Sequence, residues 1–228
     1  MTTTRTRFEQ DIKTLQEKIL EMATCADMMV AAAVEGLMLG DSDLLENVIE
    51  RDDLVDTLDL DIENQCLHLI ATQQPKDQHL RIIGTALKVI TDIERIGDYA
   101  VDIAKIGRRL ARQQELYRPV VDLPHLTHLS RNMLNDALNA FVHHDLDLVA
   151  KVIKDDDAVD TLYHQMRDTL MQTIMADNTH SYLMVNLLFA AKYLERVSDH
   201  IVNIAERVSF IETGVLPAHP HLTPRESF

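Results

Sequence analysis

The sequence predicts an all-α protein built from two similar three-helix bundles in tandem. Three observations carry that reading. Proline is absent before Pro75 and again between Pro124 and Pro217, and the 228 residues contain six Gly in all. A proline inside a helix costs about 3 kcal/mol, so proline-free stretches of this length suit long helices. Apolar residues recur at helical spacing, and the second half of the chain repeats the first.

The first helix is expected over 5–39 and the second over 42–73, where Asp41 and Ser42 stand as N-cap residues ahead of Leu44. The third, over 76–113, shows the periodicity best. Its stripe runs Ile83, Leu87, Ile90, Gly97, Val101 and Ala104, widened by Ile93, Ile96 and Ala100. A fourth is expected over 123–143 after the Arg118–Pro124 joint. His144 and Asp145 occupy the capping place before the fifth, over 146–177, and the sixth covers 180–212. The tail from Gly214, with Pro217, Pro220 and Pro224, reads as frayed. The domains are therefore set at 5–115 and 121–212, with a flexible tail over 213–228.

The duplication is read directly. Val48–Leu58 lines up with Val152–Leu162 at an offset of 104, and Glu94–Asp98 lines up with Glu195–Asp199 at an offset of 101. Two copies are too few for a solenoid. Three helices joined by short loops bury one face each against the other two, which makes a bundle.

Composition excludes several functions. The formal charge is −15, which argues against a broad nucleic-acid surface. Cys25 and Cys66 form no CxxC pair and read as reduced thiols. The N-terminal segment has no apolar signal core, and the apolar run Met28–Leu39 is broken by Glu35, so no transmembrane segment is expected. There is no Gly-rich phosphate loop, no GxSxG and no Cys–His nucleophile pattern.

The duplicated acidic pairs are the informative feature. Asp52 with Asp56, Glu94 with Asp98, Asp156 with Asp160, and Glu195 with Asp199 are each four apart, one helical turn, so each pair projects from one face. Like charges at that spacing cost an isolated helix about 0.2–0.5 kcal/mol. A cation between two such helices would relieve the repulsion, since carboxylate oxygens suit hard metal ions. The acid stripe continues through Asp59 and Glu63 in the first half but through Tyr163 and Arg167 in the second, so only the pairs are duplicated. A plain solvated acidic face is the competing reading for any single pair. Arg95 and Arg196 are expected to pair poorly with the Glu beside each, because adjacent helical residues point apart. His200 is read as a hydrogen-bonding residue rather than a ligand, the methionines chiefly as core filling, and Arg108, Arg109 and Arg112 as a basic helix C-terminus.

Glu94-Arg95-Ile96-Gly97-Asp98-Tyr99-Ala100-Val101-Asp102-Ile103-Ala104 closely resembles the signature of the PhoU family, bacterial regulators of phosphate signalling. Leu194-Glu195-Arg196-Val197-Ser198-Asp199-His200, with Asn203-Ile204-Ala205-Glu206, resembles it again, as do the Asp-x-x-Val-Asp segments at 52–56 and 156–160 and the Gln74-Pro75 joint. The resemblance covers about 10–212. It implies two three-helix bundles related by a pseudo-twofold, with one acidic metal cluster per bundle. Asp52, Asp56, Glu94 and Asp98 would be ligands at one, and Asp156, Asp160, Glu195 and Asp199 at the other. Ser198 replaces Gly97 in the second copy and keeps the residue small.

The resemblance further implies a non-enzymatic regulator. It would couple a phosphate ABC transporter, through its ATPase, to a membrane sensor histidine kinase, and would repress phosphate uptake and the starvation response when phosphate is plentiful. It also implies a cytoplasmic homodimer, peripheral to the membrane through its partners, and divalent or trivalent ions, singly or in clusters. All-oxygen ligands admit magnesium, manganese, calcium or iron and do not exclude zinc. Two alternatives compete. One is a carboxylate-bridged di-metal bundle enzyme, disfavoured because Glu-x-x-His occurs nowhere in the chain. The other is a metal-free scaffold.

Overall fold

The computed structural model describes residues 2–113 and 120–215, and the side chains from residue 7 onward. Seven α-helices and one short 3-10 turn account for most of these residues: α1 (Thr2–Leu39), α2 (Ser42–Glu50), α3 (Asp52–Gln73), α4 (Asp77–Arg112), α5 (Leu123–His143), α6 (Leu146–Ala176) and α7 (Ser181–Thr213), with the turn at Asn178–His180 ahead of α7. No strand occurs among the described residues. The chain is all-α, as expected.

The caps explain several boundaries. The Asp41 carboxylate accepts from the Asp43 and Leu44 amides, and Asp145 does the same for Asp147 and Leu148. Gly214 ends α7 in the left-handed region at φ 70°, where glycine carries no Cβ penalty. The single helix expected over 42–73 is instead two. The ladder tightens at Arg51, whose carbonyl accepts from Leu54, three residues on, at 3.1 Å, before α3 resumes. The matching α6 is continuous. Most of the tail expected to be frayed, with Pro217, Pro220 and Pro224, and Arg118 of the joint lie outside the described residues.

In one lobe α1 and α4 pack directly and run parallel, with α3 antiparallel against both. Gln65 of α3 reaches the Asp11 carbonyl near the start of α1, and Phe8 meets His79 near the start of α4. In the other lobe α5 and α7 run parallel, joined by the buried hydrogen bond between the Ser130 and Ser198 hydroxyls at 2.8 Å, and α6 returns beside them. Lobe meets lobe chiefly through α4 and α7. Arg81 donates to the Ile211 carbonyl, and Asp92 faces His200 and Asn203, so α4 and α7 are antiparallel. Antiparallel pairing of equivalent helices is what a pseudo-twofold across the seam requires.

The apolar residues expected on α4 are buried, Leu87 only in part. Between Arg7 and Leu39, α1 is long and apolar enough to cross a membrane by composition. Here its apolar face lies in the core, with Leu15, Ile19, Met22 and Met29 fully buried. Leu45 of α2 wedges between two glycines: a Cβ added at Gly36 or at Gly107 would stand 2.8 Å from its side chain. Both cysteines are free and buried, and burial pushes the Cys66 thiol up to about 12, so it is unreactive near neutral pH. Met22, Met29, Met133, Met166 and Met184 are core residues, whereas Met28, Met171 and Met175 are exposed.

Candidate metal centres

In the first lobe the acids come from two helices that approach closely. A Cβ added at Gly97 would lie 3.5 Å from Val55 Cγ1 and 3.8 Å from Asp52 Oδ1. α3 thus packs on α4 here with ordinary van der Waals room for a Cβ, such as Ser198 carries in the second copy, and the Asp52 carboxylate lies over the Glu94–Asp98 turn. Asp56 stands one turn further along α3. The electrostatics confirm the crowding. Burial first, then Asp56 and Asp98, hold the Asp52 carboxyl above the usual carboxylate range. Glu94 is raised by burial and then by Asp98, with smaller contributions from Asp56 and Asp59, against the opposing pull of Arg95.

Arg95 corrects one expectation. It does pair with these acids, because its long side chain reaches one turn along the helix. Its guanidinium lies 2.7 Å from Asp98 Oδ2 and 3.4 Å from Glu94 Oε2. Arg196 repeats the reach at 3.5 Å from Asp199. Both guanidinium groups are about half exposed, so they screen the acids from the rim rather than from within.

Among the described residues no three His, Cys, Asp or Glu side chains are gathered at metal-holding spacing. The donor chemistry of the first set still suits a hard cation. It is all carboxylate, drawn from two helices, and its neighbouring anions hold the Asp52 and Glu94 carboxyls up.

The second set differs. Asp156 and Glu195 are buried, and Asp160 and Asp199 are half-buried. Lys192, one turn before Glu195 on α7, places its Nζ 2.6 Å from both Glu195 oxygens. That ammonium also stands 5.1 Å from the centre of the Tyr163 ring. Burial pushes the Glu195 carboxyl up, the Lys192 hydrogen bond draws it back, and Asp199 adds to the rise. A cation is already present here, supplied by the chain. Sequence reasoning missed Lys192. Its signal was the three-residue spacing to Glu195 and the Thr91 that holds the same place in the first copy.

His200 is a hydrogen-bonding residue, as expected. Its Nδ1 lies 2.8 Å from Asp92 Oδ1 across the seam, and Asn203 Nδ2 donates to the same oxygen at 3.1 Å. The pseudo-twofold carries this pair onto Tyr99 and Tyr193, whose rings stack with centroids 5.7 Å apart. Equivalent seam positions are therefore polar on one side of the axis and aromatic on the other.

Fold and site together define a duplicated helical bundle with a carboxylate face in each lobe. A family model described as the PhoU domain matches the chain twice, over residues 19–107 and 123–208. The chain belongs to the PhoU family. It is 35% identical over 212 residues to a protein of Clostridium acetobutylicum named phosphate-specific transport system accessory protein PhoU homolog, covering 92% of this chain and 96% of that one. The homolog of the same name from Aquifex aeolicus is 34% identical, covering 93% and 96%. Among solved structures, PhoU from Pseudomonas aeruginosa superposes with a TM-score of 0.86 at 31% identity, covering 91% of this chain and 100% of that chain. The phosphate transport system regulatory protein PhoU from Streptococcus pneumoniae superposes at 0.84 with 27% identity, covering 92% and 98%.

Proposed function

We propose that this protein is a non-enzymatic regulator of a phosphate transport system. It binds the ATPase of a phosphate ABC transporter and a membrane sensor histidine kinase, and restrains uptake and the starvation response when phosphate is plentiful. The observation that supports this reading is likeness at full length: the Clostridium acetobutylicum accessory protein matches 92% of this chain, across both lobes. On this reading the protein is cytoplasmic, reaches the inner face of the membrane through those partners, and forms a homodimer.

The same reading gives the first lobe a cation-binding role. Asp52 and Asp56 on α3, with Glu94 and Asp98 on α4, would hold divalent or trivalent ions, magnesium, manganese, iron or zinc. The bound charge would add, to the rim guanidinium of Arg95, a positive centre among the carboxylates of α3 and α4. Arg95 would remain at the rim. In the second lobe Asp156, Asp160, Glu195 and Asp199 are the equivalent donors, with Lys192 already among them.

The test is genetic. Deleting the gene is expected to switch on phosphate-starvation promoters in phosphate-rich medium, with repression restored by the intact gene. Normal repression in the deletion strain, with no second copy of the family present, would overturn the proposal.

A further inference from the structure

The two lobes share a fold and four carboxylate positions, yet they differ at equivalent places beside those carboxylates. Thr91 of the first lobe becomes Lys192, Asp59 becomes Tyr163, and Glu63 becomes Arg167. These six residues lie on the faces where α3 meets α4 and α6 meets α7. In the first lobe the region is a groove of about 370 Å³ in which Asp59, Glu63 and Lys88 stand among Leu67, Leu87 and Ile90, beside Thr91. In the second, Tyr163 is buried, and Lys192 lies between its ring and Glu195.

We propose that Lys192 is the resident cation of the second lobe, so that only the first lobe depends on a metal ion. The Glu195 side chain is 4% exposed, and the Lys192 ammonium meets both of its oxygens at 2.6 Å. A carboxylate so enclosed needs a partner, because an uncompensated buried charge is strongly destabilising. Lys192 supplies that partner from the same helix, three residues away, at no cost in binding entropy. Tyr163 covers the pair and offers its ring face to the ammonium. A metal ion would have to displace the lysine to reach Glu195. The first lobe has no lysine at that place: Thr91 carries no charge, and the cation that meets Asp98 and Glu94, Arg95, is half exposed at the rim rather than enclosed with them. The half of this inference concerning the first lobe rests on the cation role proposed above. The half concerning Lys192 does not.

The experiment uses the full chain stripped with EDTA. Thermal melts without metal test Lys192 alone. Lys192→Thr, which installs the residue of the first lobe, is expected to lower the Tm by roughly 5 °C. Adding Glu195→Gln to that variant is expected to restore most of the loss, because the carboxylate that Lys192 paired is then gone. A Lys192→Thr variant as stable as wild type, or a double variant no better than Lys192→Thr, would overturn the role of Lys192 whatever the metal does.

Titration with manganese(II), read by electron paramagnetic resonance of the free ion, tests the asymmetry. Binding by wild type is expected to fall at least tenfold in Asp52→Asn/Glu94→Gln and to be unchanged in Glu195→Gln. Lys192→Thr is expected to add binding that Glu195→Gln removes. Equal loss of bound manganese from either lobe's variants would overturn the asymmetry. Absence of manganese binding by wild type would overturn the cation role of the first lobe and with it the asymmetry, while the melts still decide on Lys192.

Discussion

Arg131 of α5 grips Asp27 of α1 at two points across the seam between the lobes. Its Nε donates to Oδ1 and an Nη to Oδ2, each at 2.7 Å. The fork geometry fixes both helices in register, which a single contact would not do. The seam is otherwise held by α4 and α7, so this pair clamps the outer edge. The Arg131 side chain is 43% exposed, which limits its worth. Arg131→Ala is expected to cost about 0.5–1 kcal/mol, a fall of roughly 2 °C in Tm, and the difference should halve in 0.5 M salt. Melts at two ionic strengths check this.

Leu45 is a wedge with no spare room on either side. Leu45→Ala is expected to destabilise by about 3 kcal/mol through loss of packing and the cavity left behind. Gly107→Ala drives a Cβ to within 2.8 Å of Leu45 and 3.1 Å of the Leu37 Cα. Overpacking of that kind costs about 1–3 kcal/mol, and the better helix propensity of alanine offsets about 1 of it. The double variant should cost at least 0.5 kcal/mol less than the sum of the single ones, since removing Leu45 opens the space that the new Cβ needs. Urea denaturation measures all three.

Asp52 and Glu94 give the fold a pH dependence of unusual sign. Their carboxyls are raised in the folded chain by burial and by neighbouring anions. The folded state therefore holds their protons at a pH where the unfolded chain has released them. The stability this gives is complete below the ordinary carboxylate range and is lost as pH rises through the raised folded values. In EDTA at pH 7, Asp52→Asn/Glu94→Gln is expected to melt about 2 °C above wild type. The gap should close as pH falls below the ordinary carboxylate range, where wild type is protonated folded and unfolded alike. A gap that widens on acidification would contradict the assignment.

A cation that binds the folded first lobe must stabilise it by mass action. Manganese at a hundred times its dissociation constant is expected to add about 2.7 kcal/mol to wild type, several degrees in Tm. Asp52→Asn/Glu94→Gln should show no such rise. Calorimetry with and without manganese makes the comparison.

Light scattering tests the proposed homodimer. A chain of 26.0 kDa should run at twice that mass. A monomer at micromolar concentration would refute it.

Much of this architecture was legible before any coordinates. The caps at Asp41 and Asp145, the apolar stripe of α4 and the duplication are local or periodic features, and they emerged as read. The break at Arg51 was not, because helical periodicity passes through a one-residue tightening without losing its face. The reach of Arg95 to Asp98 was misjudged because spacing was weighed for the neighbouring Glu94 and not for the residue one turn on. The role of Lys192, unlike its spacing to Glu195, was hidden for a different reason. Only the packing of α6 on α7 closes Tyr163 over it and buries Glu195.

The amino-acid order alone determined which residues lie on which face of which helix, and hence that each lobe carries paired acids beside an apolar stripe. That follows from the 3.6-residue turn, which is a property of the backbone and the same in both copies. What the tertiary structure decided is how each acidic pair meets a cation: the half-exposed guanidinium of Arg95 at the rim of Glu94 and Asp98 in one lobe, an ammonium held against buried Glu195 in the other. Burial and partner are properties of contacts between helices, and equivalent positions acquire different chemistry once their neighbours differ.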